Sequence, residues 1–399
     1  MGPSSRQPLH ARHCPAADRA TDPRTAPPGR SRRSGARARL AAGLIACLLA
    51  VPLWAEPLRI ATYNTELSRK GPGLLLRDIL SGKDEQVAAV VQVIVRADPD
   101  IVLLQGIDYD HGGVTLAALA GALSRAGADY PFRFALRPNS GQRTGLDHDG
   151  DGHTDGARDA QGFGRYPGQG GMALLSRYPV ETGGVRDFSG LLWADLPGAE
   201  LPRADGTLFP GAALYAVQRL SSVGHWDVPV RVGERTLHLL AFHATPPVFD
   251  GPEDRNGLRN RDELRLWARY LEGALPGPPP PGRGFVVLGD ANLDPADGDG
   301  RSAAMAAFLS DPRLHDPLPR SAGGAAAANA AHQGDPALDT ADWDDAGPGN
   351  LRVDYVLPSA DLTVAGAGVF WPAPGAEGHE AALAASRHRL VWVDLAPGG

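Results

Sequence analysis

The chain has 399 residues, 43% of them hydrophobic, enough to bury one large core or two small ones. Its formal charge of −7 excludes a strongly basic binder of polyanions; an acidic chain takes up divalent cations more readily than it tracks a phosphate backbone. Both cysteines, Cys14 and Cys47, fall near the N-terminus, so no disulfide staples the rest of the chain and its stability rests on a packed core, helped by bound metal.

Taken in order, residues 1–55 read as an export segment. The basic run Arg30–Arg39 meets the apolar stretch Leu40–Leu53, which closes on Leu53-Trp54-Ala55. That is a basic n-region, a short h-region and a small residue before the cut. The apolar stretch is too short to span a membrane. Cleavage after Ala55 would remove nine Arg and two Asp and move the net charge from −7 to −14. The expected product is secreted or periplasmic. Lipoprotein anchoring at Cys47, within Leu44-Ile45-Ala46-Cys47, is the less favoured reading because few apolar residues precede it. No later segment is long and apolar enough to form a stable membrane span. Residues 56–399 show no composition break, so they are expected to form one domain and a monomer, with an acidic loop insertion at 139–170.

Leu58–Tyr63 reads as a strand that ends in Asn64-Thr65-Glu66, with Asn64 and Glu66 on one face if the backbone stays extended. Helical spacing of Val87, Val90, Val91, Ile94 and Val95 marks Gln86–Ala97 as a helix with a core-facing stripe, stopped by Asp98-Pro99-Asp100. Ile101–Leu104 is a buried strand leading into Gln105-Gly106-Ile107-Asp108. Strand, helix and strand make a βαβ-like unit with polar groups gathered at strand ends. Val114–Ala126 is a small Ala-rich helix, and after Phe132–Arg137 the chain enters the polar insertion. Inside 139–170, Asp147, Asp149, Asp151 and Asp155 occupy positions 1, 3, 5 and 9 of a calcium loop, with Gly152 at position 6. Position 12, usually a bidentate Glu, is Arg158, and Asp159 comes one residue late. A solvated acidic loop is the plain alternative. The crowding of the four acids favours a structural Ca2+ site that orders the loop near the cleft.

Gly171–Tyr178 reads as a strand and Pro179–Arg219 mostly as loop. Val228–Val232 and Leu237–Phe242 form a hairpin across Gly233-Glu234-Arg235, and its second strand delivers His243. A Pro- and Gly-rich loop, Thr245–Gly257, leads into an amphipathic helix at Asn260–Leu271, and Pro278–Pro281 is a stiff connector. The apolar run Phe285–Leu288 then reads as a buried strand ending in Gly289-Asp290-Ala291-Asn292-Leu293-Asp294. If extended, this segment puts Asp290, Asn292 and Asp294 on one face, a set suited to a hard cation or a phosphate-bound water. A capped turn is the plain alternative, since Gly, Asp and Asn all favour turns. A helix is expected at Ser302–Leu309. Strands are expected at Arg352–Leu357, which carries Asp354, at Val364–Phe370, and at Leu390–Leu395 directly after Ser386-Arg387-His388.

Strand ends therefore present Asn64, His243, Asp290, Asn292, Asp354 and His388. One histidine after a strand is usually packing; two of them, with acids on other strands, point to chemistry. In this order, with TYN, LSRYP, AFHATPP, GDANLD, VDYV and a closing S-x-H, the chain resembles the endonuclease/exonuclease/phosphatase family, which includes pancreatic-type deoxyribonuclease, abasic-site endonucleases, sphingomyelinases and inositol-phosphate phosphatases. The resemblance spans Leu58–Leu395. It implies an α+β fold: a four-layer sandwich of two mixed β-sheets packed face to face, with helices outside and the site at the strand ends.

The resemblance also implies roles. Asn64 would hold metal or phosphate, and Asp290 would orient or deprotonate the attacking water. Asn292 would stabilise the pentavalent phosphorus. His243 and His388 would contact phosphoryl oxygens or move protons, with Asp354 fixing the tautomer of His388. A catalytic Mg2+ or Mn2+ is expected, acting as a Lewis acid, and the partner is a phosphate-ester substrate, with nucleic acid among the options. Two departures stand out. The family's metal-binding Glu falls at Gly106, and the Asp before its closing His falls at Arg387. Glu66 or Asp108 is one source of the missing carboxylate, giving a metal set of Asn64, Glu66, Asp108, Asp290 and Asn292. Arg387 binding substrate phosphate in the metal's electrostatic place is a second account. A dead site on a retained fold is the third. The expected function is an exported, divalent-metal-dependent phosphoesterase cleaving phosphodiester or phosphomonoester bonds. The alternative is a calcium-ordered protein that binds a phosphate ligand at a degenerate catalytic site.

Overall fold

Alternating apolar residues on both sides of the longest strands require each sheet to be covered twice, and three separate apolar layers result. The computed structural model describes residues 56–397. The expected export segment and Cys47 lie outside the described residues. The first sheet has six strands: β1 (Leu58–Asn64), β2 (Ile101–Ile107), β3 (Phe132–Phe134), β4 (Gly171–Ser176), and, returning from the C-terminal part, β10 (Val364–Phe370) and β11 (Leu390–Leu395). Their order is β10-β11-β1-β2-β4-β3. The second sheet has five strands, β5 (Arg186–Asp187), β6 (Gly224–Val232), β7 (Arg235–His243), β8 (Phe285–Asp290) and β9 (Asp354–Pro358), in the order β9-β8-β7-β6-β5. Each sheet is mixed, with one parallel pair at its centre, β1 with β2 and β7 with β8.

Odd and even residues divide the core. Ile60, Leu103, Leu239, Val286, Leu288 and Val391 pack between the sheets. Their strand neighbours Tyr63, Val102 and Leu104 instead meet Val90 and Ile94 of α2 (Glu85–Ala97), with Leu75 and Ile79 of α1 (Leu74–Ser81) and Leu119 of α3 (Val114–Arg125) in the same layer. On the far side Leu240, Phe242 and Val287 meet Leu264 and Trp267 of α4 (Arg255–Leu271), joined by Met305 and Phe308 of α5 (Ser302–Leu309). Helix, sheet, sheet, helix is the four-layer sandwich expected from the resemblance. Two short helices, α6 (Ala322–Ala326) and α7 (His379–Ala385), complete the described set. Among the described residues no helix is long and apolar enough to cross a membrane.

Several boundaries differ from the sequence reading. Helices α1, α6 and α7 were not expected. Helix α4 starts at Arg255 rather than Asn260, and the expected strand at Arg352–Leu357 runs from Asp354 to Pro358. Strand β1 ends at Asn64, because Glu66 turns left-handed at φ 49°, so Asn64 and Glu66 do not continue one extended face. Strand β8 runs to Asp290 and stops there, since Asn292 adopts φ 48°. Asp290, Asn292 and Asp294 therefore do not line one strand face. Asp294 accepts from the backbone N–H groups of Ala296 (2.7 Å), Asp297 (2.9 Å) and Arg352 (2.6 Å), which is the capped-turn alternative realised at that residue.

Candidate active site

The inward parity of Val286 and Leu288 continues to Asp290, that of Leu239 and Ala241 to His243, that of Val356 back to Asp354, and that of Ile60 to Asn64. Register aligns the first three. Asp290 is opposite His243 on the parallel side and opposite Asp354 on the antiparallel side. In-register neighbours point the same way, so three chemically active side chains emerge together between the sheets. Gly289 makes this approach possible: a Cβ there would lie 1.9 Å from the Phe242 carbonyl oxygen.

Four groups surround Asp290, which is fully buried. Asn64 Nδ2 donates to its Oδ2 at 2.9 Å, His243 Nε2 lies 3.4 Å from the same oxygen, and His388 Nδ1 lies 3.9 Å away. The Asn292 backbone N–H donates to Oδ1 at 2.8 Å. The left-handed turn at Asn292 thus serves to cap Asp290, while the Asn292 carboxamide donates to Ala244 O at 2.9 Å. Burial, and then the nearby Asp354 charge, push the Asp290 carboxyl up to about 7, against the opposing pull of His388, Asn64 and Asn292.

His388 Nδ1 donates to Asp354 Oδ2 at 2.9 Å. Burial works to lower this imidazole, but Asp354 and Asp290 outweigh it and raise it to about 9, so it is charged at neutral pH. Its ring stands edge-on to Trp343, with centroids 5.3 Å apart. His243 is pushed the other way: burial, with the His388 charge adding, lowers it to about 3, and its Nδ1 is buried without a hydrogen-bond partner. Two histidines a few ångströms from one carboxylate therefore hold opposite protonation states.

Thr340 was not singled out in the sequence. Its Oγ1 donates to Asp354 Oδ2 at 3.0 Å and accepts from the backbone N–H groups of Val353 (2.9 Å) and Asp354 (3.0 Å). A bridge between Ala341 and His388 ties the same segment to the histidine. Thr340 lies in a stretch rich in Ala, Gly and Asp, which carries no periodic signal.

The residues expected to replace the family's carboxylate sit elsewhere. Glu66 is held by Arg387: the Arg387 Nε donates to Oε1 at 2.9 Å, its Nη2 pairs with the same oxygen, and its backbone N–H donates to Oε2 at 2.8 Å. Burial would raise Glu66, but this pairing wins and holds it below the usual carboxylate range. Ser386 Oγ joins the pair to the site by donating to Asn64 O at 2.8 Å. Asp108 accepts from the Arg69 and Gly170 backbone N–H groups at 2.9 and 3.1 Å, and so anchors the end of the 139–170 insertion. Gly106 sits on a bulge in β2 at φ 68°, where a Cβ would lie 2.6 Å from Asn64 Oδ1. A carboxylate side chain does not fit there without displacing Asn64.

Divalent metal fits this centre at one place. The Asp290 and Asp354 carboxylates group with His388 within 4.8 Å; the charged imidazole has no lone pair to give, so the two carboxylates are the ligands, and Asp354 Oδ1 is a buried, unpartnered oxygen. In the insertion, Asp147, Asp149 and Asp151 also group within 4.8 Å, and Asp149 Oδ1 has no partner. Asp155 is exposed and stands apart from that group. Asp159 accepts from His148 N and Gly156 N, and Arg158 lies 3.7 Å from Asp149.

The Endonuclease/Exonuclease/phosphatase family profile matches residues 61–388. No curated protein matches the chain. Among solved structures it is similar to an endonuclease/exonuclease/phosphatase from Beutenbergia cavernae (20% identity, 86% of this chain and 72% of that one, TM-score 0.49). It is also similar to sphingomyelinase C from Streptomyces griseocarneus (17% identity, 85% and 99%, TM-score 0.44) and to beta toxin from Staphylococcus aureus with bound magnesium ions (11% identity, 85% and 99%, TM-score 0.44). With the family profile spanning most of its length and both sheets in place, the chain belongs to the endonuclease/exonuclease/phosphatase family, hydrolases that act on phosphate ester bonds.

Proposed function

We propose that the protein is an exported phosphoesterase, dependent on Mg2+ or Mn2+, that hydrolyses phosphodiester or phosphomonoester bonds by attack of water. The observation that carries this reading is the single carboxylate of Asp290, fixed by Asn64 and Asn292, flanked by one charged and one neutral histidine, and balanced near neutrality. Burial raises the proton affinity of this carboxylate, which suits a group that takes a proton from water.

As the water oxygen bonds to phosphorus, its proton passes to Asp290 and the ester P–O bond breaks. His388, oriented by Asp354 and held there by Thr340, carries the proton that the leaving oxygen requires. Asn64 places its carboxamide, and Asn292 its backbone N–H, against the reacting carboxylate, and neutral His243 contributes an acceptor nitrogen. A divalent ion, held by Asp290 and Asp354, would supply Lewis-acid polarisation of a phosphoryl oxygen. Arg387, 60% exposed at its side chain, is available to substrate phosphate as well as to Glu66. Residues 1–55 direct export, the protein acts as a monomer, and the loop of Asp147, Asp149 and Asp151 takes a structural Ca2+.

The test is hydrolysis by the purified protein of bis-p-nitrophenyl phosphate, p-nitrophenyl phosphate and DNA, with Mg2+, Mn2+ or a chelator. Cleavage that the chelator abolishes is expected. A second reading, phosphate binding without turnover, draws on the Glu66–Arg387 pair, which occupies two groups near the centre. Phosphate binding with no turnover under any of these conditions would favour it.

A further inference from the structure

A cavity of about 520 Å³ opens against His243. Three long connections build it: the insertion between β3 and β4, the loop between β5 and β6, and the loop between β7 and α4. Its size is that of a small-molecule site. Its floor is aromatic and buried, with Trp193 and Tyr215 edge-to-face at 5.9 Å. Its rim carries Phe163, 63% exposed, and Phe249, 72% exposed. Seven large hydrophobic residues are exposed among those described, and the two aromatics of the seven both line this cavity. Phe249 also adopts φ 72°, a conformation a bulky side chain rarely holds without a reason.

The polar groups of the walls are largely spent on the protein. Arg259 donates to the carbonyls of Gln161, Arg219 and Leu220, Arg255 to that of His148, and Gln218 Nε2 to those of Gln161 and Arg219. They leave positive charge behind the walls, and Arg158, half-exposed and 3.7 Å from Asp149, adds a guanidinium to the lining. Such a cavity selects by shape and stacking. His243, whose Nε2 lies 3.4 Å from Asp290 Oδ2, is the residue of the reacting centre that lines the cavity.

We propose that this cavity is a ring-binding subsite, in which Phe163 and Phe249 clasp the flat organic group of a mononucleotide-sized phosphate ester whose phosphate lies at His243 and Asp290. The inference rests on the phosphoesterase reading and narrows its substrate to a small ester bearing one planar ring, either a nucleobase or another aryl group. A polymer duplex does not enter a cavity of this size.

Calorimetric titration of the purified protein with inorganic phosphate, ribose 5-phosphate, phenyl phosphate and adenosine monophosphate tests it. The ringed esters are expected to bind about tenfold or more tightly than ribose 5-phosphate, the scale of one base stacked on an aromatic side chain. Phe163→Ala with Phe249→Ala should bring the ratio close to one and leave ribose 5-phosphate affinity unchanged; both rings are exposed, so the fold is retained. A preference for adenosine monophosphate over phenyl phosphate assigns the subsite to a nucleobase, and equal affinities assign it to aryl groups at large. Equal binding of ringed and ringless esters in the wild type, or a preference that survives the double variant, overturns the subsite alone. No binding of any phosphate, with no turnover, overturns the phosphoesterase reading beneath it.

Discussion

Gly106 and Arg387 stand where the resemblance leads one to expect carboxylates, and the two positions are linked through Asn64 and Glu66. The left-handed bulge at Gly106 brings the β2 backbone so close to Asn64 that even a methyl group would press on its carboxamide. Arg387 supplies a positive charge beside the same turn and neutralises Glu66. The turn thus carries a paired Glu66 and Arg387 beside the buried group of Asp290, Asp354 and His388. Gly106→Ala should therefore lower stability by about 1–3 kcal/mol, from the strained φ and the contact with Asn64, and lower turnover further than the lost stability accounts for. Thermal melting with kinetics on the same sample checks this. A fully active, equally stable variant would mean that Asn64 has room to move and that Gly106 carries no constraint.

At the scale of strands and loops, alternation made much of the site legible. Phe285–Leu288, Leu237–Phe242 and Leu58–Tyr63 were readable as buried strands, and continuing their inward parity reaches Asp290, His243 and Asn64. The turns beyond them were not readable. Asn292 and Glu66 leave the extended conformation because Asp290 and Asn64 accept their backbone N–H groups, contacts that exist only once the strand ends are formed. Thr340 and helices α6 and α7 were not readable for a related reason: short elements in Gly- and Ala-rich sequence are fixed by tertiary contacts rather than by periodicity, whereas the Leu-rich α1 is only eight residues long, too short for its stripe to stand out. Asp108 looked like a metal ligand by its place after a strand, yet its oxygens are spent on the insertion. The acidic run Asp147–Asp155 is the clearest local motif, and three of its four expected carboxylates, Asp147, Asp149 and Asp151, do group. Asp149→Ala with Asp151→Ala should remove a Ca2+-dependent rise in melting temperature and leave the melting temperature in chelator little changed. An unchanged Ca2+ response would remove the ion from this loop.

For the whole molecule, charge placement in the sandwich predicts how stability follows pH. His225 is fully buried between the second sheet and α4; its Nε2 donates to Glu263 O at 3.0 Å, and Ser221 Oγ lies 2.6 Å from its Nδ1. Burial lowers it to about 3, whereas an unfolded histidine titrates near 6.5. Between these values the unfolded chain binds the extra proton, so the His225 contribution is complete above about 6.5 and is lost as pH falls towards 3. Glu263 and Asp290, raised by burial, act in the opposite sense. The fall in melting temperature from pH 7 to pH 5 should accordingly be smaller in His225→Gln than in the wild type, and an identical fall would mean that His225 is not held neutral. The central claim, however, is that one buried carboxylate aligned with His243 and Asp354 activates water at a phosphate ester. The most direct measurement is the metal-dependent hydrolysis rate of bis-p-nitrophenyl phosphate by Asp290→Asn beside the wild type, with both melting curves recorded. Turnover reduced by about a thousandfold or more, with melting preserved or raised because a buried like-charge contact has been removed, is the predicted result. Wild-type turnover in the folded variant would contradict it.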